Sequence, residues 1–325
     1  MSCFLNFPRE IRDMIYAAIL TEERPRPTLG EADWLFKYRR VFEPASARRG
    51  EYGCAYSLDE VPRTCANFMA CNRQVHEEMK DAIFRAKKKG DLAAKLDCIA
   101  EDESFHYFTW LGISLVKTST PNPVDSRPSF FPGWADRLLE KYRQCPQWTS
   151  GSGHPSCQSS STLINELWVD IRIFGDRSGK WFRNTSPPDR TSWALCAAVK
   201  RILEKGPDFS RMEETANTVT VEELVLNVVT PPNVPKEKYL SEDYPLDGTK
   251  GGLVHPRTVA KELVDVWNKI WSGDEIKGVY YQVLLERVQR VRVCVDGDTY
   301  RVRELRLELE RGQAERRRIA ARVGW

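Results

Sequence analysis

Apolar positions recur at three- and four-residue steps in two segments near the N-terminus and at every second residue in several later ones, so the chain predicts a helical start followed by strands alternating with helices. Ile11, Met14, Ile15, Ala18 and Ile19 line one face of a first helix over 4–20, and Arg9, Glu10, Arg12 and Asp13 fill the other. Pro8 pre-sets the first turn, where a missing N–H costs nothing. Phe68, Cys71, Val75, Met79 and Ala82 mark the inner face of a second helix over 64–86, with Asn72, Arg73, Glu77 and Lys80 outside. Lys87-Lys88-Lys89 followed by Gly90 closes it, cations at the C-terminus and glycine just past it. Ordering each residue costs about 1–2 kcal/mol of backbone entropy, while a large side chain returns about 1.5–3 kcal/mol on burial. The first helix must therefore pack on something.

Between the two helices, residues 21–63 form a long insertion broken by Pro25, Pro27, Pro44, Gly50 and Gly53, with Trp34-Leu35-Phe36 as a candidate anchor. Past residue 90 the period changes to two. Lys95–Ile99 predicts an early strand before Trp110-Leu111. Residues 164–171 (INELWVDI) match 221–228 (VEELVLNV) position by position, and 302–309 (VRELRLEL) fits the same template, although 302, 305 and 309 also fit a helical face. Val291, Val293 and Val295 suggest one more strand. Trp193 to Leu203 and Val259 to Trp271 carry helical patterns between them, an order that favours parallel pairing. The repeat distances, 57 and 81 residues, exceed those of a regular leucine-rich repeat. The expected fold is α/β: a small N-terminal helical segment, 1–90, packed on an irregular strand–helix layer, 91–325, a degenerate relative of a leucine-rich repeat ending in a basic helix. Residues 118–133, 149–161 and 230–256 read as loops, the second of them mobile.

Composition narrows the class. With 325 residues and 41% hydrophobic content the chain can bury one large core or two smaller ones. Its longest apolar runs are far short of a bilayer span, and Arg9, Glu10 and Arg12 come too early for a signal peptide, which points to the cytosol or nucleus. Nine scattered cysteines fit reduced thiols better than a disulfide scaffold.

The run Leu5-x-Phe7-Pro8-x-Glu10-Ile11, backed by Ile15, Ile19 and Leu20, resembles the start of an F-box, and more closely the F-box-like proteins of filamentous fungi; Met69 to Glu78 is similar to their second helix. That resemblance implies a non-catalytic interaction module. Its N-terminal helices would dock a Skp-type adaptor of a cullin ubiquitin ligase through Leu5, Phe7, Pro8, Ile11 and Ile15, while the larger body selects a substrate protein. Two other readings stand beside it: an internal clamp, in which the same apolar face covers the α/β core of a scaffold, and nucleic-acid binding through the tail.

Motifs for chemistry are missing. Four histidines, at 76, 106, 154 and 255, offer little acid–base material, and no nucleophile elbow or His-Glu-x-x-His helix occurs. Cys145, His154 and Cys157 lack a fourth zinc ligand, and Gly248 to Gly252 lacks the spacing of a phosphate loop. No catalytic residue, cofactor or metal is expected. Net charge is only +3, but from Arg287 onward eleven arginines face six acids. Glu304, Glu308, Glu310 and Glu315 lie three or four residues from those arginines and dilute the field, so a solvated terminal helix ranks above a nucleic-acid site.

Overall fold

The computed structural model describes residues 4–32, 37–41, 54–62, 65–102, 105–113, 117–119, 161–175, 190–209, 218–232, 234–235, 238–239, 252–272, 281 and 283–305. Trp34-Leu35-Phe36, the loop at 149–160, Cys145, His154, Cys157, residues 248–251 and the arginine-rich tail past 305 lie outside them.

The two matching segments become neighbouring strands. β6 (Ser161–Phe174) and β7 (Thr218–Val229) pair in parallel with Ile164 opposite Val221 and Ile171 opposite Val228, the same 57-residue offset that relates their sequences. Buried positions step by three in both, from Ile164 to Leu167 and from Val221 to Leu224, and from Leu224 to Val228 every residue of β7 is buried. β8 (Val288–Val295) repeats that step from Val288 to Val291 and pairs in parallel with β7. The third parallel strand is thus the 288–295 segment. Of the 302–309 copy, residues 302–304 belong to β9 (Asp298–Glu304), an antiparallel edge strand with Tyr300 and Val302 exposed, and 306–309 lie outside the described residues. A two-residue turn, Asp296-Gly297, in left-handed backbone, joins β8 to β9 too tightly for a parallel crossover.

The connections are the two expected helices, α5 (Arg190–Lys205) between β6 and β7 and α6 (Pro256–Ser272) between β7 and β8. Both pack on one face of the sheet, where Trp193, Val199, Ile202, Val259, Leu263 and Trp267 meet Leu167, Val169, Leu224 and Leu226 in the main core. β3 (Ala94–Glu101) and β4 (Phe105–Gly112) form a hairpin, and β3 runs parallel to β6. The insertion supplies β1 (Tyr38–Arg40) and β2 (Cys54–Ser57), β2 lying parallel to β4. Among the described residues nine strands form one mixed sheet, eight of them ordered β1-β2-β4-β3-β6-β7-β8-β9 and β5 (Lys117–Ser119) off that path, antiparallel to the start of β6.

At the N-terminus a 3-10 turn, Phe4–Asn6, leads into α1 (Arg9–Leu20), with Pro8 just outside the helix and its carbonyl accepting the first helical bond from Arg12 N at 3.2 Å. A short α2 (Leu29–Ala32) follows. The segment expected as one helix over 64–86 is two, α3 (Ala66–Met69) and α4 (Arg73–Lys89). Asn72 divides them: in extended backbone its side chain accepts Gln74 N at 2.7 Å and caps α4, leaving Cys71 exposed. Gly90, with φ 79, closes α4 as its sequence predicts. α1, α3 and α4 enclose a small second core of Tyr16, Cys65, Val75, Met79 and Ala82, with Phe4, Leu5, Ile19 and Phe68 packed against it.

Candidate interaction surface

α1 does not turn its whole apolar face inward: Ile19 packs on the small core, while Ile11 and Met14 face out. Arg12 is buried against α4, whereas Phe7, Ile11 and Met14 are 45%, 42% and 68% exposed. Pro8 and Ala18 are exposed beside them, and steps of three and four residues place Ile11, Met14 and Ala18 on one outward strip. Leu5 and Ile15 are half-buried, Leu5 resting on the small core. Of the five residues picked from sequence, Phe7, Pro8 and Ile11 lie open, and Met14 joins them.

The inner face is held by charge. Arg12 forms a two-pronged pair with Glu78 of α4, Nε to Oε2 at 2.8 Å and Nη2 to Oε1 at 2.7 Å. Tyr16 donates its hydroxyl to Glu78 at 2.7 Å, Gln74 donates at 2.9 Å, and Arg9 lies 3.1 Å away. Every lone pair of this carboxylate is engaged, and the Arg12 guanidinium holds it well below the usual carboxylate range, with Gln74, Tyr16 and Arg9 adding to the pull against burial. Burial, and then the bond to Glu78, push the Tyr16 phenol up to about 12. Arg12 Nη1 also donates to the carbonyls of Leu5, at 3.2 Å, and Phe7. One guanidinium therefore joins the N-terminal turn, α1 and α4. Asp13 accepts from Arg85 at 2.8 Å at the margin of the same contact.

The sheet face away from α5 and α6 carries a ladder of charged pairs across strands. Arg172 of β6 clasps Asp97 of β3 at 2.8 and 2.7 Å. Asp170 accepts from Trp168 at 2.8 Å, Asn227 at 2.6 Å and Arg26, and Arg292 of β8 reaches both Glu166 and Glu223 at 3.3 Å. Burial pushes the Asp97 and Glu166 carboxyls up, against the opposing pull of Arg172 and Arg292. The carboxylates of this ladder are each paired with a guanidinium. The chain after α1 crosses this face: Arg24 N bonds Leu111 O at 2.8 Å, Glu23 pairs with Lys95, and Pro27 O accepts from Arg172 at 2.6 Å. A cleft of about 370 Å³ lies at that junction, lined by Leu20, Arg24, Cys65, Asp91, Lys95 and Leu111 among others.

Three histidines are described. His106 is fully buried with Nε2 3.1 Å from Thr191 Oγ1; His76 is half-buried on α4; His255 accepts Arg257 N at 3.2 Å at the start of α6. Among the described residues no group of His, Cys, Asp and Glu is arranged to hold a metal ion, and no helix is long and apolar enough to cross a membrane. None of the described cysteines forms a disulfide, and all but Cys71 are buried. Comparison with family profiles, curated proteins and solved structures returns no match.

Proposed function

We propose that this protein is a non-catalytic interaction module whose α1 docks a protein adaptor of the Skp type, as its resemblance to fungal F-box-like proteins implies, while the α/β body meets a substrate protein. One observation carries the proposal: Phe7, in the turn before α1, and Ile11 and Met14 on α1 are presented to solvent, while the helix's inner face is locked by Arg12. An apolar helical strip of this kind gains affinity by laying itself into a hydrophobic groove and expelling water, with anchors at the spacing of a helix face. Ubiquitin transfer would be performed by the assembly, so the chain itself needs no cofactor, nucleophile or metal. The partly exposed end of the charged ladder, Arg290, Arg292, Glu166 and Glu223, offers the body a polar face for recognising a target.

The internal-clamp alternative draws on Leu5, Ile19 and Leu20, which pack on the small core, and on Ile15, which is half-buried. A pull-down separates the two. Purified Skp-type adaptor is expected to retain the wild-type chain and to lose Phe7→Asp plus Ile11→Asp, with circular dichroism unchanged because both sites are exposed. If the double variant loses its fold, or binds as well as wild type, α1 is not the docking element.

A further inference from the structure

The pairing of Arg12 with Glu78 is an unusual use of a helix face. α1 offers Ile11, Met14 and Ala18 as one strip and Arg12, Tyr16 and Arg9 as another, and hydrophobicity alone would turn the first strip toward Met79 and Val75. The opposite is observed. Glu78, itself buried, lies among apolar residues of α4 at a position where an unpaired carboxylate would be strongly unfavourable, and it is matched by a planar, two-pronged guanidinium. Rolling α1 to bury Ile11 and Met14 would strand Glu78 without that partner and would break the bonds from Arg12 to the Leu5 and Phe7 carbonyls.

We propose that Arg12 and Glu78 are positioning residues that select the outward presentation of the Phe7, Ile11 and Met14 strip, so that the buried ion pair specifies orientation rather than supplying net stability. Hydrophobic replacement of a buried pair is often neutral or stabilising, whereas registry and orientation are the best-attested uses of such pairs. Arg12 acts at two places at once. Through Glu78 it fixes the roll of α1, and through the Leu5 and Phe7 carbonyls it fixes the preceding turn, which carries Phe7. Tyr16 supports the arrangement: its ring packs edge-on against Phe4 and Phe68, with centroids 5.7 and 6.1 Å away, while its hydroxyl reaches Glu78. The biological purpose of the device rests on the docking proposal above, but the orientation itself can be measured without any partner.

Methionine oxidation of the full chain reads it directly, since Met14 is 68% exposed and Met79 is fully buried in the same small core. In wild type, peroxide followed by peptide mass spectrometry is expected to oxidise Met14 rapidly and to spare Met79. In Arg12→Leu plus Glu78→Leu, α1 is free to roll, and Met14 oxidation is expected to slow several-fold while Met79 stays protected. Glu78→Gln, which keeps the bulk and the bond from Tyr16 but removes the charge, is expected to fall between the two. Wild-type Met14 oxidation in a folded Leu/Leu variant would overturn the proposal. So would exposure of Met79 in both variants, because the pair would then hold the fold itself. Failure of wild type to bind an adaptor would sink the docking proposal and leave this result untouched.

Discussion

His106 sits on β4 facing the start of α5, with Thr191 Oγ1 on its Nε2 and no hydrogen-bond partner on Nδ1, and burial, helped by the charge of Arg190, lowers its pKa to about 3. The folded chain therefore keeps the ring neutral over a range in which the unfolded chain takes a proton near the ordinary 6.5. Between those values the unfolded state binds more protons, so stability falls as pH drops from 6.5 toward 3. Glu78 acts lower down: its folded pKa is depressed, so its contribution is present above the ordinary 4.5 and is lost as pH falls below it. Urea midpoints measured across this range should decline from pH 6.5 downward in wild type. His106→Gln should flatten the upper part of the curve, and Glu78→Gln should flatten the part below 4.5. A wild-type midpoint constant from pH 6.5 to 4.5 would contradict the placement of His106. The burial of His106 was legible, since its place between aromatics reads as packing; its contact with Thr191, 85 residues away, was not. The facing of Arg12 was hidden for a related reason: its partner lies 66 residues away, and an amphipathic pattern states which residues share a face but not which face turns inward.

Among the elements, the repeat was the most readable feature, because side chains that share a template and a neighbouring position in a parallel sheet face the same helical layer. Its three-residue step misled at 302–309, since Val302-x-x-Leu305 imitates the buried step of Ile164-x-x-Leu167, yet Val302 is exposed on an edge and only Leu305 is buried. The strands of the insertion were missed: β1 and β2 are three and four residues long, and every residue of β2 is buried, so neither shows alternation. The break at Asn72 had a visible signal, an N-cap residue just before Val75. Asn72→Ala should cost about 1 kcal/mol of stability through the lost cap. Gly90→Ala should cost about 1–2 kcal/mol by backbone conformation alone, since φ is 79 and an added Cβ would touch nothing within 4 Å. Leu167→Ala, in the middle of the main core, should cost about 2–5 kcal/mol. Chemical denaturation checks all three, and a Leu167→Ala cost no larger than that of the surface cap would contradict the assignment of the core.

At the scale of the molecule, a small helical core and a larger α/β core are fastened by the segment that follows α1. Arg24 on Leu111, Glu23 on Lys95, Arg26 on Asp170 and Pro27 on Arg172 tie it to β3, β4 and β6. A partner seated on α1 would therefore be held at a set distance from the polar sheet face, an arrangement suited to bringing an assembly near a bound target. Arg172→Ala would loosen that tie while leaving the docking strip intact, so adaptor affinity should stay within about twofold of wild type as stability falls; surface residues away from a contact seldom change binding further. The most direct test of the central claim is the heat of adaptor binding to the full chain, measured by calorimetry at several temperatures. A docked apolar strip predicts a negative heat-capacity change and an affinity that weakens at least about tenfold, or about 1.4 kcal/mol, in Ile11→Asp. No binding heat, or an affinity indifferent to Ile11→Asp, would contradict it.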